Sequence, residues 1–134
     1  MPAAVVAPVR TTFRAVAQAV VPEAAALDEP GWLEVERIVE EALALRPARV
    51  RRQLGLLIRA IETLPVLLTG RRFSALDAAR RTRFLLTLQN SPVLLLRRGL
   101  WGLRTLIFMG YYARPEAAAL IGYRADARGW EARR

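Results

Sequence analysis

Apolar residues recur along this chain at helical rather than strand spacing, and the interruptions between the apolar runs carry the punctuation of helix ends. The first ten residues contain Pro2 and Pro8 and read as a loose, flexible leader. Phe13, Val16, Ala17, Val20 and Val21 then share one helical face behind Thr11 and Thr12, either of which can cap it, and Pro22 ends the run. A second helix is predicted to start near Pro30, with Asp28 or Glu29 near its positive end. Trp32, Val35, Val39, Ala42 and Leu43 form its apolar stripe, and Glu34, Arg37 and Glu41 its wet side. Pro47 opens a third helix whose buried face is Val50, Leu54, Leu57, Ile58 and Ile61. The Leu64-Pro65 step predicts a kink or a short turn of helix closed by Gly70.

Ser74 followed by Asp77 resembles a capping box, with Phe73 before the cap as a weak staple against Ala78. A fourth helix is therefore expected over 75–90, with Leu76, Ala79, Leu85 and Leu88 inward and Arg80, Arg81 and Arg83 outward. Ser91-Pro92 marks the start of the longest helical pattern, running to Ala113. Pro115 permits a last short helix over 116–121 that Gly122 can stop, and in the polar tail only Trp130 offers an anchor. Short connections and the absence of a repeat or second domain give an all-α fold: a single-domain, irregular helical bundle of about five principal helices over 11–124, with a leader over 1–10 and a polar tail over 125–134.

Composition narrows the chemistry. A 134-residue chain that is 54% hydrophobic and 25% charged can build a real core. There is no Cys and no His, which excludes a disulfide framework, the usual zinc sites and every Ser-His or Cys-His nucleophile arrangement. All 21 basic residues are arginine and the net charge is +9, a balance that favours an anionic surface without choosing among protein, nucleic acid and phospholipid. A further acidic pair four residues apart, Glu36 and Glu40, lies on an otherwise charged face and reads as solvated surface. In the N-terminal stretch the apolar run precedes Arg10 and Arg14, the reverse of a secretory signal. No twin-arginine leader occurs, and no uncharged stretch reaches the ~20 residues of a membrane span, so the expected location is cytoplasmic.

The long helix divides by face. Leu96, Leu100, Leu103 and Ile107 form a core stripe with Leu95 and Leu106 beside it, and Gly99, Gly102 and Ala113 lie towards that side as points of close helix approach. Its other half places Leu94, Trp101, Phe108 and Tyr112 among Arg97, Arg98 and Arg104. Aromatics interleaved with arginine are the composition of interface hot spots, and also of core edges where arginine stems lie over rings. The candidate partner-binding residues are Arg97, Arg98, Trp101, Arg104, Phe108 and Tyr112. The same face could stack on single-stranded nucleic acid or rest on an anionic membrane. Scattered arginines and the lack of a recognised binding motif speak against nucleic acid.

Val21-Pro22, then Gly70-Arg71-Arg72-Phe73-Ser74-Ala75-Leu76, Tyr111-Tyr112, Pro115 and Leu120-Ile121-Gly122-Tyr123 give the chain an ordered pattern. In that order it resembles the family named for gluconate 2-dehydrogenase subunit 3, over roughly residues 11–124. The resemblance implies a small all-helical companion of a large flavoprotein dehydrogenase of the glucose-methanol-choline type. Such a companion binds and stabilises the catalytic subunit, and helps its maturation or shapes its substrate entrance. FAD is then expected on the partner, with no cofactor, metal or catalytic residue on this chain. A Gly-rich dinucleotide fingerprint is missing here; Gly99-Leu100-Trp101-Gly102 is a helix-packing spacing. The alternative is an autonomous basic helical module that binds nucleic acid or an anionic membrane surface.

Overall fold

The computed structural model describes residues 4–114, and the short helix expected over 116–121, its Gly122 stop, the rest of the family-like C-terminal motif and the Trp130 anchor lie outside the described residues. The described residues form five helices: α1 (Arg10–Val20), α2 (Glu29–Ala44), α3 (Ala48–Thr69), α4 (Ala78–Gln89) and α5 (Leu94–Tyr112). Three 3-10 turns, Ala7–Val9, Pro22–Ala26 and Phe73–Ala75, complete it, and there is no strand among the described residues. The protein is an all-α helical bundle.

The predicted apolar stripes converge on one core. Phe13, Val16, Val39, Ile58, Ile61, Phe73, Leu103 and Ile107 are fully or almost fully buried in it. The short helix α1, with Ala15 and Ala17 on its buried side, packs against α3, α4, α5 and the Phe73–Ala75 turn, whereas α5 lies chiefly on α2. α1 is thus the central element, and the long helix keeps one side free. Pro47 and Gly70 bound α3 as expected; Gly70 adopts φ 77°, the left-handed conformation glycine tolerates, and its N–H donates to Val66 O. The helix carries Pro65 in its interior and continues to Thr69, so the Leu64-Pro65 step is a helical turn with no break.

Several local expectations are corrected. Over the described part of the leader, Val6 is fully buried and the backbone N–H groups of Val5 and Val6 donate to Glu40 Oε1 at 2.9 and 3.3 Å, so this segment is docked. Neither threonine caps α1: Val9 holds that position, and the buried Thr12 donates its hydroxyl to Glu62 Oε2 at 2.9 Å. The fourth helix starts three residues later than predicted. Ser74 is drawn away by Glu62, which accepts from its N–H and its hydroxyl, both at 2.8 Å, and Asp77 becomes the cap by accepting Arg80 N at 2.8 Å. That register buries Phe84 in place of Ala79, and Phe73 packs against Phe84 with ring centroids 5.9 Å apart. In α5 the first turn begins at Leu94, and Leu95 is exposed.

Glu36 is the largest departure from the sequence reading. It is 4% exposed, and guanidinium nitrogens take both its oxygens: Arg10 Nε on Oε1 at 2.5 Å, Arg14 Nη2 and Nε on Oε2 at 2.7 and 2.9 Å. Arg14 also forks onto Glu29 at 2.8 and 2.9 Å and lies over the Trp32 ring. Its guanidinium is raised above its ordinary value, first by the hydrogen bonds to Glu29 and then by Glu36, against the opposing effect of burial. The acidic face of α2 is therefore a clamp that holds α1 and the N-terminal segment.

Candidate partner-docking face

α5 owes its two-sidedness to where its small and apolar residues fall. Leu100, Leu103 and Ile107 point into the core, and Gly110 brings the helix against α2: a Cβ there would lie 2.8 Å from Val39 Cγ2 and 3.1 Å from Val35 O. At Gly99 a Cβ would meet Leu57 Cδ2 at 2.9 Å, as expected for a close approach. Gly102 has no such neighbour within 4 Å and Ala113 is exposed, so neither is a packing point. Gly110 took over that role; its place on the buried arc, one turn beyond Ile107 and two beyond Leu103, was the available signal.

The six candidate residues fall within a roughly 120° arc on the opposite side of this helix. Trp101 is 66% exposed, and Arg97, Arg98 and Phe108 are also exposed, while Arg104 and Tyr112 are half-buried. The Arg104 guanidinium carbon sits 5.9 Å from the Trp101 ring centroid, and its Nη1 donates to Gln89 Oε1 at 2.9 Å, which fixes the arginine to the end of α4. One turn on, Phe108 and Tyr112 stack with centroids 6.1 Å apart and planes 9° apart, and Tyr111 meets Tyr112 edge-on at 4.9 Å. Neither Arg97 nor Arg98 has a carboxylate within ion-pair distance among the described residues.

All six are therefore on one surface, with Arg104 already committed to holding Trp101 and the other two arginines presented to solvent. The exposed Leu94, Leu95 and Met109 extend the apolar area of the helix; Leu95 joins this solvent-facing set from the stripe assigned to the core. A preorganised indole beneath a guanidinium, next to a stacked aromatic pair, suits burial against another macromolecule. Elsewhere, Glu36 and Glu40 are already taken by arginine and by backbone N–H groups. Among the described residues no three acidic, His or Cys side chains gather where they could hold a metal ion, and no helix is long and apolar enough to cross a membrane. Comparison of the chain with protein-family models, curated proteins and solved structures gives no match.

Proposed function

We propose that this chain is a non-catalytic accessory subunit that docks through the outer face of α5 on a large FAD-dependent oxidoreductase of the glucose-methanol-choline type and stabilises it. The observation that carries the docking is Trp101, a two-thirds exposed indole on a rigid helix, held by Arg104 and flanked by the Phe108–Tyr112 pair. The nature of the partner rests on the resemblance to the gluconate 2-dehydrogenase subunit 3 family, in which FAD belongs to the large subunit. In this reading the apolar rings supply most of the interface, and Arg97 and Arg98 steer the approach of an acidic rim.

Purification of the intact chain from its native cells, followed by the mass and absorbance spectrum of what accompanies it, tests the proposal. A partner of flavoprotein size with a flavin band, retained in high salt, is the expected result. A nucleic-acid spectrum whose intensity falls steeply with ionic strength would point to the autonomous basic module instead.

A further inference from the structure

Charge is divided along the chain. Residues 4–41 hold seven carboxylates and three arginines, whereas residues 42–114 hold fourteen arginines and two carboxylates. The acidic part is largely consumed internally: Glu36 and Glu29 hold Arg10 and Arg14, Glu34 and Glu41 hold Arg37, and Glu40 accepts from the N-terminal backbone. In the basic part neither carboxylate is spare, because Glu62 accepts from Thr12 and Ser74 and Asp77 caps α4.

A half-open groove of about 430 Å³ lies in this basic part, between the last turns of α3 and the outer side of α4. Pro65, Leu76 and Phe84 form its floor, and Leu68, Arg80 and Arg83 stand on its walls. The hydroxyls of its two threonines are engaged in their own helices, Thr69 with Pro65 O and Thr87 with Arg83 O, which leaves the guanidiniums as its polar recognition groups. Arg80 has only a 3.8 Å contact with Asp77, and the Arg83 side chain has no partner among the described residues. Leu68 is 75% exposed and the adjacent Leu67 84%.

We propose that this α3–α4 groove takes an amphipathic helix of an acidic partner protein, its leucine or phenylalanine side chains on the Pro65–Leu76–Phe84 floor and its glutamates or aspartates against Arg80 and Arg83. An apolar floor between one arginine without a partner among the described residues, Arg83, and one held only by a long exposed contact, Arg80, asks for both features in one ligand, and a helix with anchors at i, i+3 and i+7 supplies them. Concavity disfavours a flat bilayer, and the half-open form would leave much of a small molecule in water. Phe84 is almost fully buried, so no ring is presented for base stacking. A second copy of this chain is a poor occupant, because most of the carboxylates among its described residues are already paired. The groove contains no α5 residue, so the inference stands apart from the α5 docking face.

The test titrates the full chain into a fluorescein-labelled helical peptide carrying leucine at i, i+3 and i+7 and glutamate on its flanks. A peptide of identical composition with the leucines scrambled, oligothymidylate and phosphatidylglycerol vesicles are titrated in parallel. Saturable binding is expected, weakened at least about tenfold by the Arg80→Glu/Arg83→Glu double substitution at low salt. Leu68→Ser should weaken it in high salt as well, Trp101→Ala should leave it unchanged, and circular dichroism should show every variant folded. Absence of binding, or equal affinity for the scrambled peptide, would overturn the proposal. So would tighter binding of oligothymidylate or vesicles that is lost in the same double variant.

Discussion

Gly110 and Val39 are in contact across the α5–α2 seam so closely that a Cβ on the glycine would stand 2.8 Å from Val39 Cγ2. The Val35 carbonyl oxygen, 3.1 Å from the same point, cannot swing aside as a side chain would. Gly110→Ala is therefore expected to destabilise the fold by about 1–3 kcal/mol through overpacking. Gly102→Ala, on the same helix but with nothing within 4 Å, should instead stabilise it by about 0.5–1 kcal/mol through helix propensity. Denaturant unfolding of the two single variants measures the contrast directly.

The Glu36 carboxylate joins two arginines of α1 to α2 from a buried position, so its removal leaves two guanidiniums facing an emptied site. Glu36→Ala is expected to cost about 2–4 kcal/mol, below the top of the range for breaking a buried pair because Arg10 is 43% exposed and regains water. Glu34→Ala removes an exposed i,i+3 contact to Arg37 on the same helix and should lower the unfolding midpoint far less than Glu36→Ala does. Thermal unfolding of both variants, side by side, separates the buried clamp from the surface pair.

The five helices and most of their buried residues were legible because amphipathic spacing is a local property, repeated within each segment. Leu54, Leu57, Ile58 and Ile61 declare their face whatever they pack against, and so do Trp101 and Phe108 on the outer arc of α5. What the sequence did not disclose depends on partners far along the chain. Glu36 looks like any solvated helix glutamate until Arg10 and Arg14, 26 and 22 residues earlier, close on it. Glu62 and Thr12 meet across 50 residues. The Glu62 interaction also explains the misplaced start of α4, since it takes the hydroxyl that a capping box would use. The α3–α4 groove was invisible for the same reason: its walls are paired only by the tertiary fold.

The exchange of caps at α4 is testable. Asp77→Ala should destabilise the protein by about 1 kcal/mol by leaving the Arg80 N–H without its side-chain acceptor. Ser74→Ala should affect instead the junction of α1, α3 and the Phe73–Ala75 turn, where Glu62 would keep Thr12 and the Ser74 N–H but lose one hydroxyl donor. A loss of about 0.5–1.5 kcal/mol is expected there. Hydrogen exchange distinguishes the two, with faster exchange at the first turn of α4 in Asp77→Ala alone.

Acid should weaken the fold in a defined direction. The hydrogen bonds from Arg14 and Arg37 hold Glu29 and Glu34 respectively below the ordinary carboxylate value of 4.5. Near that value the unfolded chain binds more protons than the folded one. Their contribution is thus fully present above 4.5 and is lost as pH falls through the lower folded values. With no histidine in the chain, the melting temperature should stay nearly flat from neutrality down to about pH 5 and decline below it. The decline should become shallower in a Glu29→Gln/Glu34→Gln variant, measured by thermal unfolding across the acid range.

Trp101 offers the sharpest separation of docking from folding. Two-thirds of its surface is already in water, so Trp101→Ala should change stability by no more than about 0.5 kcal/mol. If the indole is the anchor of a subunit interface, the same substitution should weaken binding to the proposed flavin-bearing partner by about 2 kcal/mol or more, expressed mainly in the dissociation rate. Arg97→Ala and Arg98→Ala should act differently. With no carboxylate partner to lose among the described residues, each should slow association and flatten its salt dependence while leaving dissociation nearly unchanged. Surface plasmon resonance at two ionic strengths reads both rates, with thermal unfolding as the control. Normal partner binding by a folded Trp101→Ala variant would remove α5 from the interface, and a collapsed fold would assign the indole to the core.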